Sequence, residues 1–225
     1  MRHPSGQFRY IDPPFQFNSP EIAAYPVEVT GFHLLSSLRQ RLGWNSLAGK
    51  RLLDFGCGVR FARTIHNLDI DIGSYTGIDV NAQAIAWLAN NADDPRFRFE
   101  HFDMRNEMYN AGGETVEDRN VLQRRGFSEF DAACMFSVIT HQAPADAQTI
   151  FALLYETVRA RGQLYFTAFT DDGVDQYREG DPALPCILST YHPEYLRQLV
   201  SSAGWNVEEI YPKTNMQQTA FVCRK

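Results

Sequence analysis

A few aspartates, two glycines and one histidine have the types and spacing to do chemistry. Residues 51–58, RLLDFGCG, read as a strand that carries Asp54 near its end and runs into a turn with glycine at 56 and 58. Bare backbone in such a turn lets a nucleotide-like group lie directly against the chain. Asp79 ends the next strand candidate, and two acceptor oxygens there suit two vicinal hydroxyls of a ribose. Asp103 follows a third strand candidate, and His141 follows a fourth in the run SVITH. An imidazole with an ordinary pKa of about 6.5 can take a proton at neutrality. Taken singly, each aspartate reads as well as a helix cap or turn residue, and His141 as a residue that caps or positions the next helix. Three aspartates in order at successive strand ends point to a ligand.

These residues need a scaffold. Strand candidates are 51–55, 75–80, 97–102, 130–136 and 163–169. Helical stretches separate most of them. In 81–91 Asn81 can cap and Ala82, Ile85 and Ala89 share a face. In 144–160 Pro144 sits near the first turn, and Ala147, Ile150, Phe151, Leu154 and Val158 form a stripe. In 193–203 Pro193 starts and Gly204 stops a helix that buries Leu196, Leu199 and Val200. Repeated strand–helix alternation implies a parallel sheet with helices on both faces. The segments 205–211 and 219–224 have no helix between them and should pair antiparallel. The expected fold is therefore α/β, a Rossmann-like doubly wound seven-stranded sheet, mostly parallel with a terminal antiparallel strand. Ahead of it, residues 1–47 form a proline- and aromatic-rich arm and a helical cap, with a helix over Val27 to Trp44 in which Phe32, Leu35, Leu38 and Leu42 stand at near-helical spacing. Residues 48–225 form the main domain. Within it, 104–129 is a long polar insertion after a strand's carboxyl end, where open α/β sheets bind ligands.

Three cofactor classes compete for the glycine turn. A phosphate-binding P-loop needs a lysine followed by serine or threonine, and none follows Gly58. A dinucleotide fingerprint needs glycine at 61, where Phe61 would obstruct close helix–strand packing. The third class is S-adenosylmethionine. The segment LDFGCGV resembles motif I of class I S-adenosylmethionine-dependent methyltransferases, in which the strand ends in an acidic residue followed by a GxGxG turn. By that resemblance Asp54, Gly56, Cys57 and Gly58 lie along the cofactor's amino-acid end, Asp79 and Val80 at its ribose, and Asp103 and Met104 at its adenine, with Phe136 and Ser137 also lining the cofactor. The resemblance extends over about residues 48–224. The run FDAACMFSVITHQAPADAQTIFALLYETVRARGQLYFTAFT and the element YNAGG (Tyr109–Gly113) look like those of one methyltransferase subgroup. Arg60 departs from the pattern, standing where a glycine is expected. Either a residue is absent and the turn is tighter, or Arg60 replaces the glycine and points its side chain away.

The acceptor side is less specific. His141 is the leading candidate base. Tyr109, Asn110 and Tyr191 are candidate substrate contacts, and the aromatic residues Phe8, Tyr10, Phe15 and Phe17 a candidate lid. His66 and His101 read as structural, and no metal is needed. The net charge of −6 and a total of three lysines disfavour nucleic acid. Four cysteines (Cys57, Cys134, Cys186, Cys223) show no paired spacing, which disfavours a disulfide framework or structural zinc. No long apolar run argues for membrane spanning, and no apolar N-terminal region for secretion, so the expected compartment is the cytoplasm. The expected function is methylation, most simply of oxygen on a small molecule such as a sugar or secondary metabolite. The alternative is a non-catalytic binding or partner protein that keeps the fold around an altered cofactor loop.

Overall fold

Arg51–Phe55 forms the first strand, β1, because Leu52, Leu53 and Phe55 are β-competent apolar residues that bury against their neighbours. The structure is a computed structural model that describes residues 10–17, 26–180, 183, 188–213 and 217–225. Phe8, Cys186 and the side chain of Phe15 lie outside the described residues. The chain divides into two compact units, one ending at Phe102 and the other beginning at Asp103.

In the first unit, β1 pairs in parallel with β2 (Ser74–Asp79), and β2 in parallel with β3 (Phe97–His101). Between them run α2 (Arg60–Asn67) and α3 (Ala82–Asn91). Asn81 caps α3 as expected, its side chain accepting the Ala84 N–H at 3.0 Å. The preceding helix, α1 (Val27–Arg41), ends before Trp44. It buries Gly31, Leu34, Leu35 and Leu38, whereas Phe32 is 54% exposed. The reason is Gly31: an ideal Cβ there would stand 2.0 Å from Thr64 Oγ1, so α1 turns its glycine toward α2 and rotates Phe32 outward. The arm is fastened to these helices. Asn67 brackets the backbone of buried Ile11, donating to its carbonyl and accepting its N–H, both at 2.9 Å. One oxygen of Glu28 accepts from Tyr10 (2.6 Å), Arg63 (2.6 Å) and Asn67 (2.8 Å).

In the second unit, β4 (Phe130–Met135) pairs in parallel with β5 (Val158–Thr170). On β5's other side lies β9 (Thr219–Arg224), antiparallel, with β8 (Asn206–Tyr211) antiparallel to β9. Phe166 and Phe221 stack across the β5–β9 pair at 4.7 Å. The helices are α4 (Val121–Arg124), α5 (Pro144–Thr157) and α6 (Pro193–Ser202). Two short strands were not expected: β6 (Tyr177–Glu179) and β7 (Ser189–Tyr191), the latter parallel to the end of β5. They add to the seven expected, all of which form. β5 also starts earlier than expected. Residues 159–162 belong to the strand, and Val158 leaves the α5 stripe to pair with Phe130. The insertion is not loose. Backbone bridges join Met104 to Glu114 and Asn106 to Asn110, closing 104–114 into a tight turn ahead of α4. No helix among the described residues is long and apolar enough to cross a membrane.

Candidate functional site

In the first unit the site is built almost wholly by backbone. Gly56 and Gly58 hold φ values of +73° and +49°, which favour glycine. The N–H groups of Gly56 and Cys57 both donate to the Ile78 carbonyl, at 2.8 and 3.1 Å, which latches the turn to the end of β2. Asp79 completes the latch: one carboxylate oxygen accepts the Gly58 N–H and the other the Asn81 N–H, each at 2.8 Å. Each oxygen keeps a further lone pair for a hydroxyl. A Cβ on Gly58 would meet no heavy atom within 4 Å, so the turn leaves open space where the side chain is missing. A ligand needing close approach to backbone fits that space.

Asp54 is buried, and Tyr75 donates to it at 2.7 Å. It is therefore not an exposed carboxylate. Arg60 is the first residue of α2 and has ordinary helical geometry. The position therefore needs no glycine. Its Cγ lies 3.3 Å from the point where a Cβ on Gly31 would stand, so the stem runs toward α1. Burial lowers the pKa of its guanidinium, and the Asp54 carboxylate works against that shift. Cys57 is buried with Sγ 2.8 Å from the ideal Cβ position of Gly77, so β2 needs glycine at its crossing with the turn. Burial, then the charges of Asp79 and Asp54, push its thiol well above the ordinary range and make it a poor nucleophile. Val80 is half-buried, and its carbonyl lies 3.2 Å from His101 Nε2, a structural role for that histidine.

In the second unit side chains do the holding. Asp103 is exposed and accepts from the Asn110 amide at 2.7 Å, while Met104 is buried. Gly113 has no room for a side chain, because the Asn110 amide nitrogen would stand 2.3 Å from its Cβ. After β4, Phe136 packs on Tyr165 at 5.1 Å. Ser137 takes φ +58°, a conformation costing a non-glycine residue about 1–2 kcal/mol. Thr167 pins its N–H at 2.9 Å, and Gln218 donates to its hydroxyl at 2.9 Å. His141 ends a 3-10 turn over Ile139–His141. Tyr109, 58% exposed, sets its ring edge-on to that imidazole at 5.3 Å, with its hydroxyl 3.5 Å from Nε2. Asp146, in the first turn of α5, has its carboxyl pushed up by burial; Arg105 opposes that shift and Glu107 adds to it. Tyr191, expected to touch substrate, is fully buried and donates to the Gln142 carbonyl at 2.6 Å. That is a supporting role. Sequence reading missed Tyr75, Gly77, Asn106, Thr167 and Gln218, common residues whose partners lie far along the chain. Among the described residues, no three His, Cys, Asp or Glu side chains are grouped to hold a metal ion.

A parallel α/β unit whose first strand ends in a glycine turn latched to an acidic residue defines a class of nucleoside-cofactor protein. The chain belongs to the family described as "Methyltransferase domain", which matches residues 29–210, and its cofactor is S-adenosylmethionine. No curated protein matches it in sequence. Among solved structures it is similar to magnesium protoporphyrin IX methyltransferase from Synechocystis with bound S-adenosylmethionine, at 12% identity and TM-score 0.56 over 88% of this chain and 79% of that one. It is similar to a glycopeptide N-methyltransferase complexed with S-adenosylhomocysteine, at 12% identity and TM-score 0.57 over 84% and 87% of the two chains. It is also similar to the cyclase SpnF, at 18% identity and TM-score 0.55 over 86% and 80%.

Proposed function

We propose that this protein methylates an oxygen atom of a small molecule, such as a sugar or secondary metabolite, and that His141 takes the acceptor's proton. S-adenosylmethionine supplies an electrophilic methyl group on a sulfonium, which leaves as a neutral thioether when the acceptor oxygen displaces it. Gly56, Gly58 and Asp79 would hold it, with Asp79 offering its spare lone pairs to the ribose hydroxyls. The proton released from the acceptor hydroxyl goes to Nε2 of His141, so charge balances as the sulfonium is neutralised. The observation that carries this reading is the Tyr109 hydroxyl set beside His141 Nε2. An exposed phenol and an imidazole together offer a proton path and an aromatic edge to an incoming acceptor. The two methyltransferases similar in fold, acting by their names on a porphyrin and a glycopeptide, support a small-molecule acceptor.

The case for a non-catalytic partner protein rested on a spoiled glycine turn. Arg60 sits in helical geometry behind two glycines of positive φ, which removes that motive. His141→Ala is expected to cut turnover by ~100-fold or more while S-adenosylhomocysteine still binds within about twofold of the parent. Turnover within threefold of the parent would remove His141 from the chemistry.

A further inference from the structure

Two successive carbonyls at the candidate base are held by buried side chains from distant segments. Asn106 donates through Nδ2 to the His141 carbonyl at 3.0 Å. Tyr191 donates to the Gln142 carbonyl at 2.6 Å. Asn106 does more than anchor. Its Oδ1 accepts the N–H groups of Met108 (3.1 Å) and Tyr109 (2.9 Å), and its backbone exchanges hydrogen bonds with Asn110 at 3.0 and 2.8 Å. The same buried side chain therefore folds the turn that carries Tyr109 and ties that turn to His141. An asparagine amide puts a two-proton donor and an acceptor on separate atoms of one short stem. Aspartate could fold the turn but not bind the carbonyl, and alanine could do neither.

We infer that Asn106 is a positioning residue: it sets the Tyr109 hydroxyl against His141 Nε2 and so fixes which ring nitrogen is left to accept a proton. This rests on the reading of His141 as proton acceptor. On this inference Tyr109 is the donor to Nε2, and the neutral imidazole keeps its own proton on Nδ1. When an acceptor hydroxyl displaces the phenol, Nε2 is already the basic nitrogen. The exposed Tyr109 is then the gate that occupies the base until an acceptor arrives, and the buried Asn106 is its hinge pin.

The test uses the full chain with 15N-labelled histidine, S-adenosylhomocysteine bound and the His141 signals assigned through His141→Gln. In the parent protein, His141 Nε2 is expected to report an unprotonated acceptor. In Asn106→Asp, which keeps the turn-forming oxygen, and in Tyr109→Phe, the neutral ring is expected to shift toward a proton on Nε2. The double variant should add little to either single change, because both cut the same link. Turnover in Asn106→Asp should fall by about 10–100-fold with S-adenosylhomocysteine affinity held within about twofold. Parent-like His141 signals in both Asn106→Asp and Tyr109→Phe would overturn the inference. So would an Asn106→Asp protein that only melts earlier, with His141 signals and turnover intact. Tyr109 is exposed, so its variant keeps the test decisive if Asn106 variants do not fold. If His141→Ala keeps its turnover, the assignment of the base fails, while the tautomer measurement still decides the role of Asn106.

Discussion

The first unit holds its candidate site residues through backbone groups and one carboxylate, and the second with side-chain amides and hydroxyls. At the glycine turn, three N–H groups and one carbonyl fix the loop, and Asp79 receives the Gly58 and Asn81 amides. At His141, the holding groups are the Asn106 amide and the Tyr191 hydroxyl. The contrast shows how tolerance to sequence change is distributed. A backbone-made site restricts only the positions that need positive φ or close approach, so arginine can stand third in the turn. A side-chain-made site depends on the identity of each holder, and a change as small as Asn to Asp removes a donor.

The sharpest way to break the comparison is Asp79→Ala. It removes the anchor of both the Gly58 and Asn81 amides, and it is expected to weaken S-adenosylhomocysteine binding by about 10–100-fold in calorimetry. An unchanged affinity would mean the turn stands without its latch. Next in size is Gly77→Ala. A Cβ there would meet Cys57 Sγ at 2.8 Å and the Phe99 ring at 3.2 Å, and urea unfolding should show a loss of about 1–3 kcal/mol. Cys57→Ala in the same chain should return part of that loss, and no rescue would point to another clash.

What could be read in the sequence follows the same divide. The glycines, the terminal aspartates and the strand–helix alternation are local signals, legible through their order and spacing along the chain. The antiparallel pair 206–211 and 219–224 was legible because nothing helical separates the segments. The Asn106–His141 bond was not, since its partners are 35 residues apart and asparagine is ordinary in a turn. Tyr191 carried a substrate-like residue type but its burial comes from packing that no short window encodes. The exposure of Phe32 on α1 was not legible for a related reason. Glycine at 31 makes the contact with Thr64, a partner 33 positions away that no local pattern announces.

The smallest expected effect lies where the arm is clasped. Burial alone would raise the Glu28 carboxyl, but hydrogen bonds from Tyr10, Asn67 and Arg63 outweigh it and hold the pKa at about 2, below the ordinary 4.5. Because the folded value is depressed, the clasp contributes fully above about pH 4.5 and is lost as pH falls toward 2. Glu28→Gln should cost about 1 kcal/mol at pH 7 and should flatten the decline in stability across that acid window. A parent-like slope between those limits would mean that the arm is held by other contacts.

The most direct test of the central claim, that this glycine turn binds its cofactor with Arg60 in place, is calorimetric titration of S-adenosylhomocysteine into the parent protein and Arg60→Gly. With Arg60 helical and its stem lying toward Gly31, both proteins should bind one equivalent, with dissociation constants within about threefold. A parent protein that fails to bind while Arg60→Gly binds would place the guanidinium in the cofactor's space and contradict the account.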